Sequence, residues 1–129
     1  EDIRQALSYA AALASGETPE LVVLPGEPMA REEVIAVLRN YAPALKAAGV
    51  VSASLFGSLA RNEPQPRDVD IAVRLAPHFS TGGLDYFWQR DQLRQDLQRL
   101  LGRQVDIVEE PARRATLQAE IDRDRALVF

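Results

Sequence analysis

The chain has 129 residues, 47% of them hydrophobic and 26% charged, with 15 basic residues against 19 acidic ones and a formal net charge of −4. That is one domain's worth of chain with an ordinary soluble composition, and its acidic balance disfavours binding a phosphate backbone by charge. The absence of cysteine and the single histidine, His78, exclude a disulfide framework, a thiolate zinc site, a cysteine nucleophile and a multi-histidine metal site, and no apolar run approaches the roughly 18 residues of a membrane span.

In chain order, Ile3 to Ala14 reads as a helix, with Ile3, Leu7, Tyr9, Ala10 and Leu13 on one side and Ser15-Gly16 as its stop. Glu20 to Leu24 is a short apolar run, strand or packed loop, and Pro25-Gly26 and Pro28 then punctuate the chain. Residues 1–28 therefore read as an N-terminal helical extension and 29–129 as the main domain. Arg31 to Ala48 is helical by the recurrence of Val34, Val37, Leu38, Tyr41 and Leu45, and Pro43 inside it predicts a kink or a division. Gly49 is the expected cap. Val50 to Phe56 alternates and is rich in strand-forming residues, and Gly57-Ser58 follows it directly. After a loop marked by Pro64 and Pro66, Asp68 to Leu75 alternates as a second strand. A loop from Pro77 to Gly83 leads into a long helix, Leu84 to Leu101, whose Phe87, Trp88, Leu93, Leu97, Leu100 and Leu101 are expected to face the core, with Gly102 ending it. Gln104 to Val108 is a third strand, Pro111 suits the first turn of a helix running to about Ile121, and Ala126 to Phe129 suits a short edge strand. The expected fold is an α/β (α+β) sandwich, a small mixed sheet flanked by helices.

Three features in the middle of the chain carry chemistry. A strand ends in Gly57-Ser58, where glycine permits close backbone approach to a ligand and free N–H groups of a following turn favour phosphate; a plain strand-ending turn accounts for the same two residues. Asp68 and Asp70, two apart in an apolar strand, share one face while Val69, Ile71 and Val73 face the core. Such a pair is either a solvated outer face or a hard-oxygen site suited to Mg²⁺ and substrate phosphates. Asp106, between Val105 and Ile107, adds a third carboxylate on another strand. Together the three could support two-metal phosphoryl chemistry, with Asp106 placed to take a proton from an attacking hydroxyl.

Gly57-Ser58, nine intervening residues and Asp68-Val69-Asp70, with Asp106 on a later strand, resemble the signature of the DNA-polymerase-β-like nucleotidyltransferase superfamily. The stretch LFGSLARNEPQPRDVDIAV, followed by a helix and GRQVDIVEE, resembles in particular the minimal nucleotidyltransferases, small prokaryotic proteins typically encoded beside a HEPN-domain partner. The resemblance spans about residues 31–129 and implies the polymerase-β-like nucleotidyltransferase fold. It implies that Gly57 and Ser58 contact nucleotide phosphates, that Asp68 and Asp70 bind Mg²⁺, and that Asp106 completes the metal site and serves as base. The implied reaction is transfer of AMP from ATP to a hydroxyl, in HEPN pairs a tyrosine of the partner, which silences a toxic RNase and makes the transferase an antitoxin.

The chain also departs from the family pattern. The common Ala-Arg-Gly is here Ala60-Arg61-Asn62, where asparagine tolerates the left-handed conformation glycine usually supplies. The spacer is one residue shorter than in many members, and Arg67 replaces a frequent serine. Arg61 reads either as a phosphate or partner contact or as a salt bridge to Glu63 or Asp68. Arg67 and Arg74 read as surface charges and His78 as solvent-exposed. Tyr86, Phe87 and Trp88 could stack on adenine, but their helical spacing favours core packing. Glu109-Glu110 fits a helix N-terminus, and Arg113, Arg114, Arg123 and Arg125 fit solvated pairs with Glu120, Asp122 and Asp124. The apolar face of the first helix suits packing on the chain's own sheet, a homodimer contact or a partner-docking arm. Against the transferase stand two other classes: an antitoxin that acts by occlusion alone, and nucleotidyl transfer to a small molecule such as an aminoglycoside or to tRNA. The first is disfavoured by the intact carboxylates, the second by the missing acceptor domain and the acidic pI. With no leader-like segment and no cysteine, the expected location is the cytoplasm.

Overall fold

The structure, a computed structural model, describes residues 29–64 and 68–129; the readings made for residues 1–28 and for Arg67 lie outside them. The helical pattern from Arg31 is divided as its proline predicts. Helix α1 (Arg31–Asn40) ends at Tyr41, and α2 (Ala42–Ala47) carries Pro43 in its first turn, where a missing N–H costs nothing. Val34, Val37, Leu38, Tyr41 and Leu45 are all buried. Gly49 then takes φ +107°, with the backbone of Phe79 so close that a Cβ there would lie 2.8 Å from the Phe79 Cα.

Strand β1 (Val50–Phe56) is followed without a gap by the single-turn helix α3 (Gly57–Ala60). Strand β2 (Val69–Leu75) leads through a 3₁₀ turn (Pro77–Phe79) to α4 (Leu84–Leu101), which ends on a left-handed Gly102 as expected. Strand β3 (Val105–Glu109), α5 (Ala115–Asp124) and β4 (Ala126–Leu127) complete the domain. The four strands form one sheet in the order β3-β2-β1-β4. β1 runs antiparallel to β2 and β4, whereas β2 and β3 are parallel, joined by the crossover through α4. The sheet is therefore mixed, as the sequence predicts.

Alternation sorts the two faces of the sheet. Val69, Ile71 and Val73 join Leu55, Val105 and Ile107 in the main core with Val34, Val37 and Leu38 of α1 and Leu93, Leu97 and Leu101 of α4. On the opposite face Phe56 and Ala72 pack with Ile121 and Leu117 of α5 and with Val108. Both sheet edges are capped by arginine: Arg90 donates to the carbonyl of Ile107 on β3 (2.6 Å), and Arg39 to those of Leu127 and Val128 (3.1 and 2.8 Å). Carbonyls so occupied are poor templates for a further strand.

Two expectations are corrected. Phe87 and Trp88 do not face the core; they are 59% and 49% exposed. Three consecutive aromatics on a helix are spread about 200° around its axis, so one stripe can take only one of them. Tyr86, seven and eleven residues before Leu93 and Leu97, is the one that turns inward, edge-on to Phe79 and with its hydroxyl donating to Glu109 (2.5 Å). The second correction concerns the last helix, which starts at Ala115 rather than Pro111 and continues to Asp124. Glu110 is not at a helix N-terminus. Its N–H donates to the carbonyl of Val73 (2.8 Å), which extends the β2–β3 pairing, and its carboxylate is buried against Arg125. Arg125 accordingly does more than pair with Asp122: it also donates to Glu110 and to the buried Ser54 hydroxyl (3.0 Å).

Candidate active site

The parallel register sets Asp70 of β2 directly beside Asp106 of β3, and the antiparallel register sets Asp70 beside Phe56, the last residue of β1. Neighbours in register share a face, so Asp70 and Asp106 project from the side of the sheet that α5 covers only in part. Asp70 is half-buried and Asp106 exposed, while Asp68, just before β2, is half-buried. The apolar residues that flank them, Val69, Ile71, Val105 and Ile107, are all buried in the main core, which fixes the carboxylates on the outer face.

Gly57 closes this site from the β1 side. Its φ is +77°, and a Cβ built there would stand 2.3 Å from Oδ2 of Asp70. Only glycine lets the backbone come so near the carboxylate. The turn that follows is closed by three backbone bonds, Arg61 N–H to Gly57, Asn62 N–H to Leu59 and Glu63 N–H to Ser58, at 3.0, 3.0 and 3.1 Å. Asn62 adopts φ +59°, so asparagine fills the left-handed position in place of the family's usual glycine. Ser58 sits half-buried on this turn beside Gly57.

The electrostatics centre on Asp70, whose carboxyl is raised from 3.8 to about 6, first by burial, then by the negative charges of Asp106, Asp68 and Glu120, with Arg61 opposing. As they stand, no three acidic or histidine side chains among the described residues converge tightly enough to share one ion. Asp68, Asp70 and Asp106 nonetheless form a one-sided set of hard oxygen donors, and the like-charge pressure on Asp70 is what a divalent cation relieves. The fit to Mg²⁺ therefore lies in donor chemistry rather than in a closed cage.

Arg61 donates to Glu63 (Nε, 2.6 Å) and to Asp124 at the end of α5 (Nη1, 2.7 Å). The expected pairing with Glu63 is present, and the partner across the fold is Asp124 rather than Asp68. Arg74 and His78 are exposed surface residues, as read from the sequence. On the far side of Asp106 opens a groove of about 310 Å³ lined by Phe87, Arg90, Asp91, Arg94, Asp106 and Ile107. Three contributors escaped the sequence reading. Glu120, assigned to surface pairs, acts on Arg123 and bears on Asp70 as well. Asp124 is 63 residues from Arg61. The α4 wall of the groove, Phe87, Arg90, Asp91 and Arg94, was not read as a neighbour of Asp106, and Phe87 was expected in the core.

No curated protein matches the chain. A solved structure assigned as a minimal nucleotidyltransferase is 27% identical, with a TM-score of 0.58 over 78% of this chain and 98% of that one. The toxin–antitoxin complex MntA–HpeT, as a mutant with two aspartates two residues apart changed to glutamate, shares the fold at 23% identity and a TM-score of 0.51, covering 78% of this chain and 73% of that one. Residues 32–129 match the sequence profile described as polymerase beta, nucleotidyltransferase; the chain belongs to this nucleotidyltransferase family.

Proposed function

We propose that this chain is a Mg²⁺-dependent nucleotidyltransferase that moves AMP from ATP to a hydroxyl, a tyrosine, of a HEPN-type toxin, and so acts as its antitoxin. The observation that carries the reading is the approach of Gly57 to Asp70 with Asp106 in register beside it. The toxin partner is suggested by the similar fold of the MntA–HpeT toxin–antitoxin complex, whose two altered aspartates have the spacing of Asp68 and Asp70. The catalytic unit is residues 29–129, with 1–28 as an N-terminal extension. No helix among the described residues is long and apolar enough to cross a membrane, and a cytoplasmic site of action accords with an RNase partner.

In this reading Asp68, Asp70 and Asp106 hold the metal. Held there, Mg²⁺ would supply charge neutralisation for the phosphates. The backbone at Gly57 and the hydroxyl of Ser58 hold phosphate oxygens, and the missing Cβ lets this turn lie against Asp70. The acceptor oxygen attacks the α-phosphorus, a new P–O bond forms, the bond to the bridging oxygen breaks, and pyrophosphate leaves. Asp106, exposed at the rim of the groove, takes the proton that the acceptor hydroxyl loses.

The test is intact-mass spectrometry of the HEPN partner after incubation with this chain, ATP and Mg²⁺. One or more added AMP groups, lost with Asp70→Asn, are expected. Unmodified toxin that is still neutralised by Asp70→Asn would replace catalysis with occlusion.

A further inference from the structure

The geometry points to Asp124 as a positioning residue for nucleotide binding, acting through Arg61 to fix the Gly57–Ser58 turn against Asp70. The inference rests on the proposed nucleotidyl transfer and goes beyond it by assigning a residue outside the signature.

Helix α3 is a single turn of four residues. A turn that short does not hold its place by its own hydrogen bonds; it must be fastened from outside. One fastening is apolar, Leu59, which is 2% exposed in the main core. The other is polar, Arg61, the residue that caps the turn by donating its backbone N–H to Gly57. Its guanidinium bridges Glu63 within the same loop and Asp124 on α5. Asp124 is a rigid anchor. Its side chain is 3% exposed and is held on its other oxygen by Arg123 at 2.8 Å. The next residue, Arg125, is fastened to buried Glu110 and Ser54. Two sets of charge-assisted bonds, made by the consecutive residues Asp124 and Arg125, thus tie the end of α5 both to the turn that carries Gly57 and Ser58 and to buried Glu110.

This arrangement also decides between two jobs for Arg61. A guanidinium already answered by two carboxylates is a strut; to serve chiefly as a phosphate receptor it would have to give one of them up. Loss of the strut leaves the fold's cores untouched but lets the turn move. A shift of tenths of an ångström matters there, because the Asp70 carboxylate already fills the space a Cβ would take at Gly57.

Asp124→Asn keeps the size of the side chain and removes its charge; Arg61→Lys keeps a charge but loses the planar fork that reaches both acceptors. In the ligand-free protein, amide exchange at Arg61, Asn62 and Glu63, whose N–H groups close the turn, is expected to quicken about tenfold in Asp124→Asn. In transfer assays well below the melting temperature, the KM for ATP with Mg²⁺ is expected to rise about tenfold, the worth of one charge-assisted bond, with kcat within about twofold. Arg61→Gln gives the same rise in KM, and the double variant is no worse than either single one. Wild-type KM and wild-type exchange in Asp124→Asn, with a raised KM only in Arg61→Gln, overturn the inference and make Arg61 a phosphate ligand acting alone. A wild-type chain that binds no ATP overturns the proposed function as well, whereas binding that ignores Asp124 overturns this inference alone.

Discussion

Replacing Asp70 by asparagine should stabilise the metal-free protein at the same time as it abolishes activity. The carboxyl of Asp70 rises from 3.8 to about 6 through burial and through the charges of Asp106, Asp68 and Glu120. A group raised in the folded state contributes stability that is fully present below pH 4 and lost as the pH climbs through 6. The difference corresponds to roughly 3 kcal/mol at about 1.4 kcal/mol per pH unit. Half the carboxylate still faces water, and that screening reduces the figure to about 1–1.5 kcal/mol. In EDTA at pH 8, Asp70→Asn should therefore melt about 5 °C above the wild type. The gain should shrink steadily between pH 7 and 4.5, where the wild-type carboxyl regains its proton. The acid-labile Glu110 is present in both proteins, so the difference between them isolates Asp70. Mg²⁺ should close the gap at pH 8 by stabilising the wild type alone. A variant that melts below the wild type at pH 8, or a gain that is the same at pH 4.5, would refute the account of Asp70 as a strained carboxylate.

Three other outcomes test separate parts of the structure. Gly57→Ala should lose nucleotide binding and about 2 kcal/mol of stability by denaturant titration, since φ +77° and a 2.3 Å contact with Asp70 Oδ2 both oppose a Cβ; Asp70→Ala in the same chain should return the contact part and leave the backbone part. Arg125→Ala strands the buried Glu110 carboxylate and should cost about 3 kcal/mol, with Glu110→Gln recovering some of it. Because Arg125 holds the Glu110 carboxyl below its ordinary 4.5, that pair stabilises the fold above pH 4.5 and fades as the pH falls through the lowered value, so the penalty of Arg125→Ala should diminish in acid. Trp88→Ser should lower stability by no more than about 1 kcal/mol, because about half of the residue stays exposed; a core loss of several kcal/mol would restore the inward orientation first expected from the helical pattern.

Much of the site was legible because it is built from local alternation. The triplets Val69-Asp70-Ile71 and Val105-Asp106-Ile107 each bury two apolar neighbours and turn one acid outward, and the parallel register puts the two acids side by side. The bounds of α4 were legible because Gly83 and Gly102 stand just outside it. What was not legible depends on distance along the chain or on competition for one face. Glu110 and Arg125 are 15 residues apart, Arg61 and Asp124 63, and no periodicity encodes such pairs. Tyr86, Phe87 and Trp88 are equally apolar to a pattern, yet one stripe admits one of them. The start of α5 was misread because Pro111 is an equally good residue for an irregular segment, and the pull of Arg125 on Glu110 decides which it is.

The same contacts explain why the site is half-buried rather than open or closed. Helix α5 lies over Phe56, Ala72 and Val108 through Leu117 and Ile121, and its end is pinned by Arg125 to Glu110 and by Asp124 to Arg61. Those pins fix the end of the helix on this face, where Asp70 is half-buried and Asp106 exposed. Had α5 reached further, the carboxylates would be desolvated beyond what a cation could readily compensate; had it stopped earlier, Asp70 would keep an ordinary acidity and bind a cation no better than any surface pair. Like-charge crowding on a partly dry face stores unfavourable energy in the free protein, and under the proposed function that energy would be released when a cation and phosphates arrive. The strain on Asp70 and the rigidity of the Arg61–Asp124 strut are then two parts of one device, because the crowding favours cation binding only if the turn carrying Gly57 cannot move away to relieve it.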